Sequence, residues 1–447
     1  MLAQTRLIRK LDSLLQTDLT GFIRLREPID ITSFTGWLKG QTLYPRIYWH
    51  ARERDREFAA LGVLREIRDA GQLATLSGQP KPAGGSWPRY YGGLAFDPLA
   101  TQGDSDHWQE FGDCRFVLPR LELIRQGNQI ELVCNLWLES DPHQRQQEID
   151  TSRAALNQVQ PEAALTSLPA IHFQRRDTPP QAIWSTLVEQ VTSSEHLAEL
   201  PKVVLARESQ LTTTQAVNPW DLLAAMQPLT PACFHFAFAF SAEACLLASS
   251  PERLYRRHER DLESEALAGT ILRTGDEAVD RELASQLLAD NKNRLENRLV
   301  HADILTRLEG LAEQATLSPP RILKLRRLQH LRRDITAQLK PEVTDAQLLA
   351  TLHPTPAVGG TPRRKALAFI RQHEPFARGW YAGACGLISE DVAEFAVAIR
   401  CALLTPDTLR LYAGAGIVSG SEPAAEWQEL DDKLANLLGL LSQGSRP

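Results

Sequence analysis

The sequence lacks the short motifs that identify several large enzyme classes. It contains no HExxH zinc-protease motif, no P-loop, no GxGxxG dinucleotide-binding motif and no GxSxG hydrolase motif. No repeat at the periods of solenoid proteins and no low-complexity tract is present. Zinc-protease, nucleotide-hydrolase, dinucleotide-dependent and serine-hydrolase functions therefore have no support from motifs.

Cysteine, long apolar runs and excess basic charge are also scarce. The 6 cysteines form no CxxC pair, so we interpret them as reduced residues of a cytosolic protein. No apolar run approaches the roughly 20 residues that span a bilayer, and the N-terminus lacks the apolar segment of a signal peptide. Lys plus Arg is 49 and Asp plus Glu is 55, a net charge of −6 that argues against a nucleic-acid surface. We expect a soluble cytoplasmic protein without a membrane or nucleic-acid partner.

The patterning of the 447 residues favours an α+β fold. Aromatic and small residues alternate over 234–240, and apolar residues alternate over 395–403, which predicts strands. Residues 277–312 have no proline and an apolar spacing near 3.6, which predicts one or two helices. Strands and helices are grouped rather than regularly alternating, so α+β is favoured over a parallel α/β sheet.

The C-terminal region predicts a strand, a glycine turn and a helix that together suit an anionic ligand. Gly414 and Gly416 have no Cβ, so backbone N–H groups near them can approach a ligand oxygen. Glu426, Glu429 and Lys433 lie on one side of the helix, and carboxylates one turn apart suit a hard cation such as Mg²⁺. A solvated helix face with an ordinary Glu429–Lys433 pair is the alternative.

Lys202 and Glu252 are candidates for a base and an acid. Lys202 begins a predicted strand among small apolar residues, which would desolvate its amine and favour the neutral form that a general base needs. An exposed lysine at a strand end is the alternative. Glu252 follows an apolar strand, where a carboxyl group keeps its proton and serves as a general acid. A surface turn, or a helix that starts at Pro251, explains Glu252 equally well.

Three further residues carry open interpretations. Glu296 borders the apolar stripe of a predicted helix and needs a partner, either a metal ion or a basic side chain such as Lys292. Arg400 is the single charge on a predicted strand face of alanines, so it either holds a ligand carboxylate or pairs with a buried acid. His330 is a weaker candidate that gains interest from two nearby arginines.

Taken together, these segments resemble the chorismate-utilising enzymes, and among them the isochorismate synthases. The matching motifs are KVVLAR (202–207), SPE (250–252), EALAGT (265–270), the helix at 292–296, LQHLRR (328–333), HPTPA (353–357), AIR (398–400), YAGAG (412–416) and EWQELDDK (426–433). The similarity is strongest to isochorismate synthases of the menaquinone pathway. It spans residues 200–440, and residues 1–170 carry little of it.

The resemblance implies one large domain over residues 1–447. Antiparallel sheets are expected to pack as a sandwich core with helices outside. Residues 200–440 would form the chorismate-binding catalytic part, and the variable N-terminal part, 1–170, would add strands to the same core.

The resemblance also implies a reaction, the Mg²⁺-dependent isomerisation of chorismate to isochorismate by addition of water at C2 and loss of the 4-hydroxyl. The residue that matches Lys202 activates the water, and the residue that matches Glu252 protonates the departing hydroxyl. Glu296 and Glu429 match the Mg²⁺ ligands, and Glu426 is a further candidate ligand. Positions that match substrate-binding residues are Gly269, His330, Ala357, Arg400, Gly414, Ala415, Gly416 and Lys433.

Two related activities are alternatives. Salicylate synthases share the lysine at position 202 and go on to eliminate pyruvate. Anthranilate synthases are less favoured, because they usually carry glutamine where Lys202 stands and use ammonia with a glutaminase partner. No glutaminase subunit is therefore expected here. Ala357 also matches the isochorismate-forming branch, where amino-adding relatives tend to have threonine. The sequence leaves open whether the product feeds quinone or siderophore synthesis.

Overall fold

A computed structural model of the chain describes residues 2–78, 82, 85–100 and 106–444. Its strands are β1 (Gly21–Pro28), β2 (Arg46–His50), β3 (Glu57–Ile67), β4 (Tyr90–Leu94), β5 (Cys114–Gln126), β6 (Gln129–Leu138), β7 (Phe173–Thr178), β8 (Lys202–Thr213), β9 (Phe234–Ala239), β10 (Cys245–Ser250), β11 (Arg253–His258), β12 (Asp261–Leu272), β13 (Ala312–Leu317), β14 (Arg321–Lys324), β15 (Leu328–Leu339), β16 (Gly360–Thr361), β17 (Ala384–Ile388), β18 (Val392–Val397), β19 (Cys401–Leu404) and β20 (Thr408–Ile417).

The α-helices lie mainly between groups of strands. They are α1 (Leu2–Ser13), α2 (Phe34–Gly40), α3 (Pro142–Gln158), α4 (Gln181–Thr192), α5 (Ser194–Glu199), α6 (Pro219–Met226), α7 (Glu277–Ala289), α8 (Asn291–Leu308), α9 (Asp345–Leu352), α10 (Arg363–His373) and α11 (Pro423–Gln443). The helical segment predicted over 277–312 is divided between α7 and α8. The break occurs at Asp290, whose carboxylate accepts a hydrogen bond from the N–H of Asn293 and caps α8.

The strands form one continuous hydrogen-bonded system in which every described pairing is antiparallel. The first run has the order β8–β20–β19–β10–β9–β2–β3–β5, and the second has the order β5–β4–β17–β18–β11–β12–β15. The prediction of an α+β fold built on antiparallel strands is confirmed.

Aromatic packing fills the space between the two runs. The Trp380 ring, just before β17 of the second run, lies 5.5 Å from the ring of Phe238 in β9 of the first run. The Phe111 ring lies 5.3 Å from that of Trp380, so the same aromatic cluster continues toward β5. Buried aromatic area of this kind dominates the energetics of a core. The alternating aromatic residues predicted as a strand at 234–240 therefore lie in the interior.

Two of the places where the chain crosses between the two runs are adjacent. Pro251 and Glu252 connect β10 of the first run to β11 of the second, and residues 398–400 connect β18 of the second run to β19 of the first. The two crossings are hydrogen-bonded, since Val397 N–H donates to the carbonyl oxygen of Glu252 at 3.1 Å. Ser249 N–H donates to the carbonyl oxygen of Arg400 at 3.2 Å. Two candidate site residues thus lie at one corner of the sheet.

The single strand predicted over 395–403 is wrong, because the chain leaves the sheet at the second crossing. Arg400 has φ 53°, a left-handed conformation that interrupts β structure. Ala398 N–H donates to the carbonyl oxygen of Gly383, and the carbonyl oxygen of Ala398 accepts from Ala382 N–H, each at 2.8 Å. The alternation of apolar residues over 395–403 continues across the break because the chain on both sides of it is extended. Arg400 is consequently at a bend and not on a strand face of alanines.

The glycine turn predicted at Gly414 and Gly416 is also wrong. Both glycines lie inside β20, where Gly414 is paired with Ala206 and Gly416 with Val204 of β8. The turn comes afterwards, closed by a 3.0 Å hydrogen bond from Ser421 N–H to the carbonyl oxygen of residue 418, and α11 follows. Pairing with β8 keeps this glycine-containing segment extended.

No helix of the described residues is both long enough and apolar enough to cross a membrane.

Candidate active site

A cavity lies at the corner where the chain crosses between the two runs of strands. Its empty space is about 660 Å³, with the open mouth included. Of the 13 predicted site residues, 10 line it: Glu252, Gly269, Glu296, His330, Ala357, Arg400, Gly414, Gly416, Glu429 and Lys433. These residues come from strands, helices and loops separated by up to 181 positions in sequence (433 − 252).

Lys202 lies in the wall of this cavity behind Glu296. Its side chain has no exposed surface, and its Nζ donates a 3.0 Å hydrogen bond to Oε1 of Glu296. Burial excludes the alternative of an exposed lysine at a strand end. Small residues make room for this pair, since a Cβ added to Gly416 would lie 2.3 Å from Glu296 Oε1 and 3.1 Å from Lys202 Cε.

The backbone of β20 at the two glycines faces away from β8. Val204 N–H donates to the carbonyl oxygen of Gly359, and Ala206 N–H donates to Oε1 of Glu374, so both point away from β20. Partners in an antiparallel ladder share this orientation. The polar groups of Gly414 and Gly416 therefore point to the opposite edge, which β19 covers only as far as residue 411.

Ala415 does not line the cavity, although it was a predicted site residue. Successive residues of a strand alternate in direction, so Ala415 has the opposite orientation to its glycine neighbours and is fully buried. On the cavity side, the carbonyl oxygen of Gly414 accepts a 2.6 Å hydrogen bond from Nζ of Lys433. A Cβ added to Gly414 would lie 2.8 Å from the hydroxyl of Tyr381.

Glu252 is 3% exposed and neither a surface turn nor a helix start. Burial raises the pKa of Glu252 to about 8, and the nearby Glu265 carboxylate adds to this rise. The positive charges of Lys202, Lys433 and Arg52 oppose it but do not reverse it. At neutral pH the carboxyl group therefore holds its proton, as a general acid must.

The three candidate metal ligands are each bonded to a lysine. Oε1 of Glu296 is bonded to Lys202, Oε1 of Glu429 lies 2.6 Å from Nζ of Lys433, and Glu426 is bonded to Lys292. Within the residues that the structure describes, no three His, Cys, Asp or Glu side chains are grouped closely enough to hold a metal ion.

The pKa shifts of Glu426 and Glu429 nevertheless indicate that a positive charge beside these carboxylates is favourable. Burial and the neighbouring Glu429 carboxylate raise the pKa of Glu426. Burial alone would raise the pKa of Glu429, but the ammonium of Lys433 holds it below its usual value. Glu296 and Glu429 each leave one oxygen without a lysine partner, and both line the cavity. Oxygen donors of this kind fit Mg²⁺, which retains several non-protein ligands. Glu426 does not line the cavity.

Arg400 and His330 present unused hydrogen-bonding groups. Arg400 donates to the carbonyl oxygen of Lys433 at 2.8 Å, and no acid of the described chain forms an ion pair with it. Nδ1 of His330 lies 3.0 Å from Oγ1 of Thr270, whereas its buried Nε2 has no partner among the described residues. Burial, with Arg400 and Lys433 nearby, holds the pKa of His330 well below its usual value, so the ring is neutral.

Several residues of the cavity wall were not predicted from the sequence. Tyr381, Tyr412 and Thr270 line it, and the rings of the two tyrosines stack with their centroids 5.0 Å apart. Tyr381 follows an irregular segment, so no periodicity marks its direction. Thr270 lies at the end of a motif already singled out, at residues 265–270, and its polar side chain was a usable signal.

The chain is similar to known proteins over most of its length. The family described as "Chorismate binding enzyme" matches residues 8–442. The chain is 39% identical to "Isochorismate synthase MenF" of Escherichia coli (strain K12), over 93% of this chain and 92% of that protein. It is 34% identical to the protein of the same name from Haemophilus influenzae, over 96% and 94% of the two chains. A solved structure described as the menaquinone-specific isochorismate synthase from Escherichia coli superposes with a TM-score of 0.87 at 36% identity, over 99% of this chain and 100% of that one.

Proposed function

The chain belongs to the chorismate-binding enzyme family, and we propose that it is an isochorismate synthase in which Lys202 is the base and Glu252 the acid. The observation that carries the proposal is the position of one buried amine and one protonated carboxyl group at the same cavity. The role of Lys202 as base is supported by its burial and by its contact with Glu296. The role of Glu252 as acid is supported by its pKa, which is raised to about 8.

The reaction divides into two proton transfers. In the proposed first transfer, the amine of Lys202 takes a proton from water as the water oxygen bonds to C2 of chorismate. The ring double bonds shift, and the C4–O bond breaks. The Glu252 carboxyl group gives its proton to the departing oxygen, which leaves as water. A poor leaving group needs this acid, because hydroxide does not leave readily at neutral pH.

The substrate is a dianion, and the remaining lining groups supply positive charge and hydrogen-bond donors. Arg400 and Lys433 are proposed to hold the carboxylates, together with the N–H groups of the strand at Gly414 and Gly416. The neutral His330 offers Nε2 to a polar group of the substrate, and Gly269 and Ala357 keep the wall small enough for the ring. Arg400 and Lys433 are held in place by hydrogen bonds to backbone carbonyl groups, and fixed orientation of such groups favours electrostatic catalysis.

A divalent cation completes the proposed site. Glu296 and Glu429 would hold Mg²⁺, with Glu426 as a neighbouring carboxylate that adds negative charge. When bound, Mg²⁺ supplies Lewis-acid polarisation of the substrate and a fixed position for its ring carboxylate. The supporting observation is that two carboxylates of the cavity wall each contact a lysine through Oε1, Glu296 with the buried Lys202 and Glu429 with the partly exposed Lys433.

The relatives also bear on the pathway and on the alternative activity. The Escherichia coli structure is described as menaquinone-specific, and this supports a place in menaquinone biosynthesis. The two named relatives are isochorismate synthases, so the salicylate synthase alternative is not favoured. We also propose that the whole chain works as one catalytic domain, with chorismate as its small-molecule substrate and without a glutaminase subunit.

Product identification tests the function. The purified chain, incubated with chorismate and Mg²⁺ and without ammonia, is expected to yield isochorismate on chromatography. Salicylate together with pyruvate would instead establish the lyase activity. Anthranilate formed only when ammonia is added would establish the amino-transferring activity, and intact chorismate after incubation would refute all three.

A further inference from the structure

The peptide segment that carries Glu252 is held from both sides by one buried ion pair. Nη1 of Arg52 donates a 2.6 Å hydrogen bond to the carbonyl oxygen of Pro251 and a 2.8 Å bond to Oε1 of Glu265. The same Oε1 atom accepts a 2.7 Å bond from the backbone N–H of Arg253. The residues before and after Glu252 are thus bonded to the two partners of a single ion pair.

This ion pair is built for rigidity. A second hydrogen bond joins Nη2 of Arg52 to Oε2 of Glu265 at 3.0 Å, and the two side chains are only 5% and 1% exposed. A bidentate arginine–carboxylate pair fixes orientation as well as distance, and water does not compete with it at this depth. Arg332 supports the arrangement through a 2.9 Å contact with Oε2 of Glu265.

We propose that Arg52 and Glu265 are positioning residues for the catalytic acid, because their ion pair clamps the backbone on both sides of Glu252 and so directs its carboxyl group into the cavity. The inference rests on the proposed function. It also assigns a catalytic contribution to the N-terminal part, since Arg52 lies 150 residues before Lys202 (202 − 52).

The pKa of Glu252 distinguishes this proposal from a purely structural role of the ion pair, because each partner acts on that pKa through its charge. The charged groups with the largest effects on the pKa of Glu252 are Glu265, which raises it after the larger effect of burial, and Lys202, Lys433 and Arg52, which lower it. The two partners of the ion pair therefore act on Glu252 with opposite sign. Removal of one partner breaks the same clamp as removal of the other but shifts the titration of Glu252 in the opposite direction.

The experiment is the pH dependence of kcat/KM for chorismate in Glu265→Gln and Arg52→Gln, measured on the full chain with Mg²⁺. Glu265→Gln should move the alkaline limb of the profile to lower pH by about 1 unit, and Arg52→Gln should move it to higher pH by a similar amount. Both should lower kcat by about tenfold or more while KM changes little. Arg52→Lys keeps the charge but not the bidentate geometry, so the limb should return toward the wild-type position while kcat stays reduced.

Folding is addressed by a double variant and a matched control. An unpaired buried charge destabilises a protein strongly, so Arg52→Gln with Glu265→Gln, which removes both charges, is expected to fold with a limb near that of the wild type and a reduced kcat. Glu122→Gln breaks another buried pair, with Arg24 at 2.8 Å, that does not act on Glu252. It should lower thermal stability and leave the limb in place.

Several outcomes overturn the inference. One is an alkaline limb of the pH profile that stays in place in both single variants, and another is a limb that moves in the same direction in both. Either result would show that the ion pair only supports the fold. A double variant with wild-type kcat would remove the clamp from the mechanism. If the wild-type chain makes no isochorismate, the proposed function fails first, and that result is distinct from unmoved limbs in an active enzyme.

Discussion

Nζ of Lys202 lies 3.0 Å from Oε1 of Glu296, so the proposed base and a proposed metal ligand are direct partners. The lysine side chain is completely buried, whereas 15% of the Glu296 side chain is exposed at the cavity. A cation held by Glu296 would compete with Nζ of Lys202 for the same carboxylate. Metal binding and release of the amine from its partner are therefore coupled by this geometry.

The first prediction concerns the base. Lys202→Gln keeps most of the side-chain length and a hydrogen-bond donor toward Glu296 but accepts no proton from water. We expect kcat for isochorismate formation to fall by about 100-fold to 10,000-fold, with binding of chorismate largely retained. Product formation is measured by chromatography and binding by calorimetry. Lys365→Gln removes an exposed lysine that pairs with Glu199 and should leave kcat unchanged. Wild-type kcat in the Lys202 variant would exclude it as the base.

The second prediction concerns the stability contribution of Glu252. Its pKa is raised to about 8 in the folded protein, against about 4.5 when unfolded. Between these pH values the folded state holds a proton that the unfolded state has lost, so the free energy of unfolding decreases as pH rises through this window. Above pH 8 both states are ionised and the loss is complete. Glu252→Gln lacks this titration.

We therefore expect Glu252→Gln to become more stable relative to the wild type as pH rises from 5 to 9, by a few kcal/mol at most, or about 1.4 kcal/mol per unit of pKa shift. Urea unfolding at pH 5, 7 and 9 measures the difference, and activity should be lost at every pH. A stability difference that does not depend on pH would contradict the raised pKa of Glu252.

The third prediction concerns the space at Gly416. A Cβ at this position would lie 2.3 Å from Glu296 Oε1, far inside van der Waals contact. Gly416 does not have positive φ, so alanine there is opposed by sterics and not by backbone strain. Gly416→Ala should lower kcat/KM by about tenfold or more because Glu296 must move. Gly439→Ala, on α11 with no neighbour within 4 Å, is the control and should not affect activity. Equal activity of the two variants would contradict this steric argument.

The fourth prediction concerns the cation. A chelator in excess is expected to abolish turnover, and added Mg²⁺ is expected to restore it, since two cavity carboxylates supply oxygen donors for a hard cation. Glu429→Gln should raise the Mg²⁺ concentration for half-maximal activity by about tenfold or more. Glu199→Gln, at an exposed surface ion pair, serves as control. Full activity of the wild type in chelator would refute the metal site.

Local patterning was sufficient for some of the elements and for the types of the reacting groups. The alternating aromatics at 234–240 predicted β9, and the apolar spacing over 277–312 predicted helices that the structure divides at the Asp290 cap. These patterns succeed because side-chain burial in a strand or helix repeats with the period of the backbone. The same logic failed at residues 398–400, where hydrogen bonds to Ala382 and Gly383 replace the neighbouring strand.

The glycines show where local reasoning ends. Their lack of Cβ was recognised from the sequence as important, but its use was assigned to a turn. In the structure Gly416 makes room for the Lys202–Glu296 pair, whose members are 94 residues apart. Arg52 and Glu265 are 213 residues apart, and although Glu265 begins the EALAGT motif, no local pattern in the sequence identifies either residue as the partner of the other.

By itself the sequence determined the class of fold, the run of motifs and which residue types were available for acid, base and cation chemistry, because these follow from short-range periodicity and from side-chain identity. Only the tertiary structure decided that Lys202 is buried against Glu296, that Glu252 keeps its proton, and that Arg52 reaches the segment around it. Desolvation and ion pairing depend on which distant segments are packed together, and no local spacing in the chain encodes those distances.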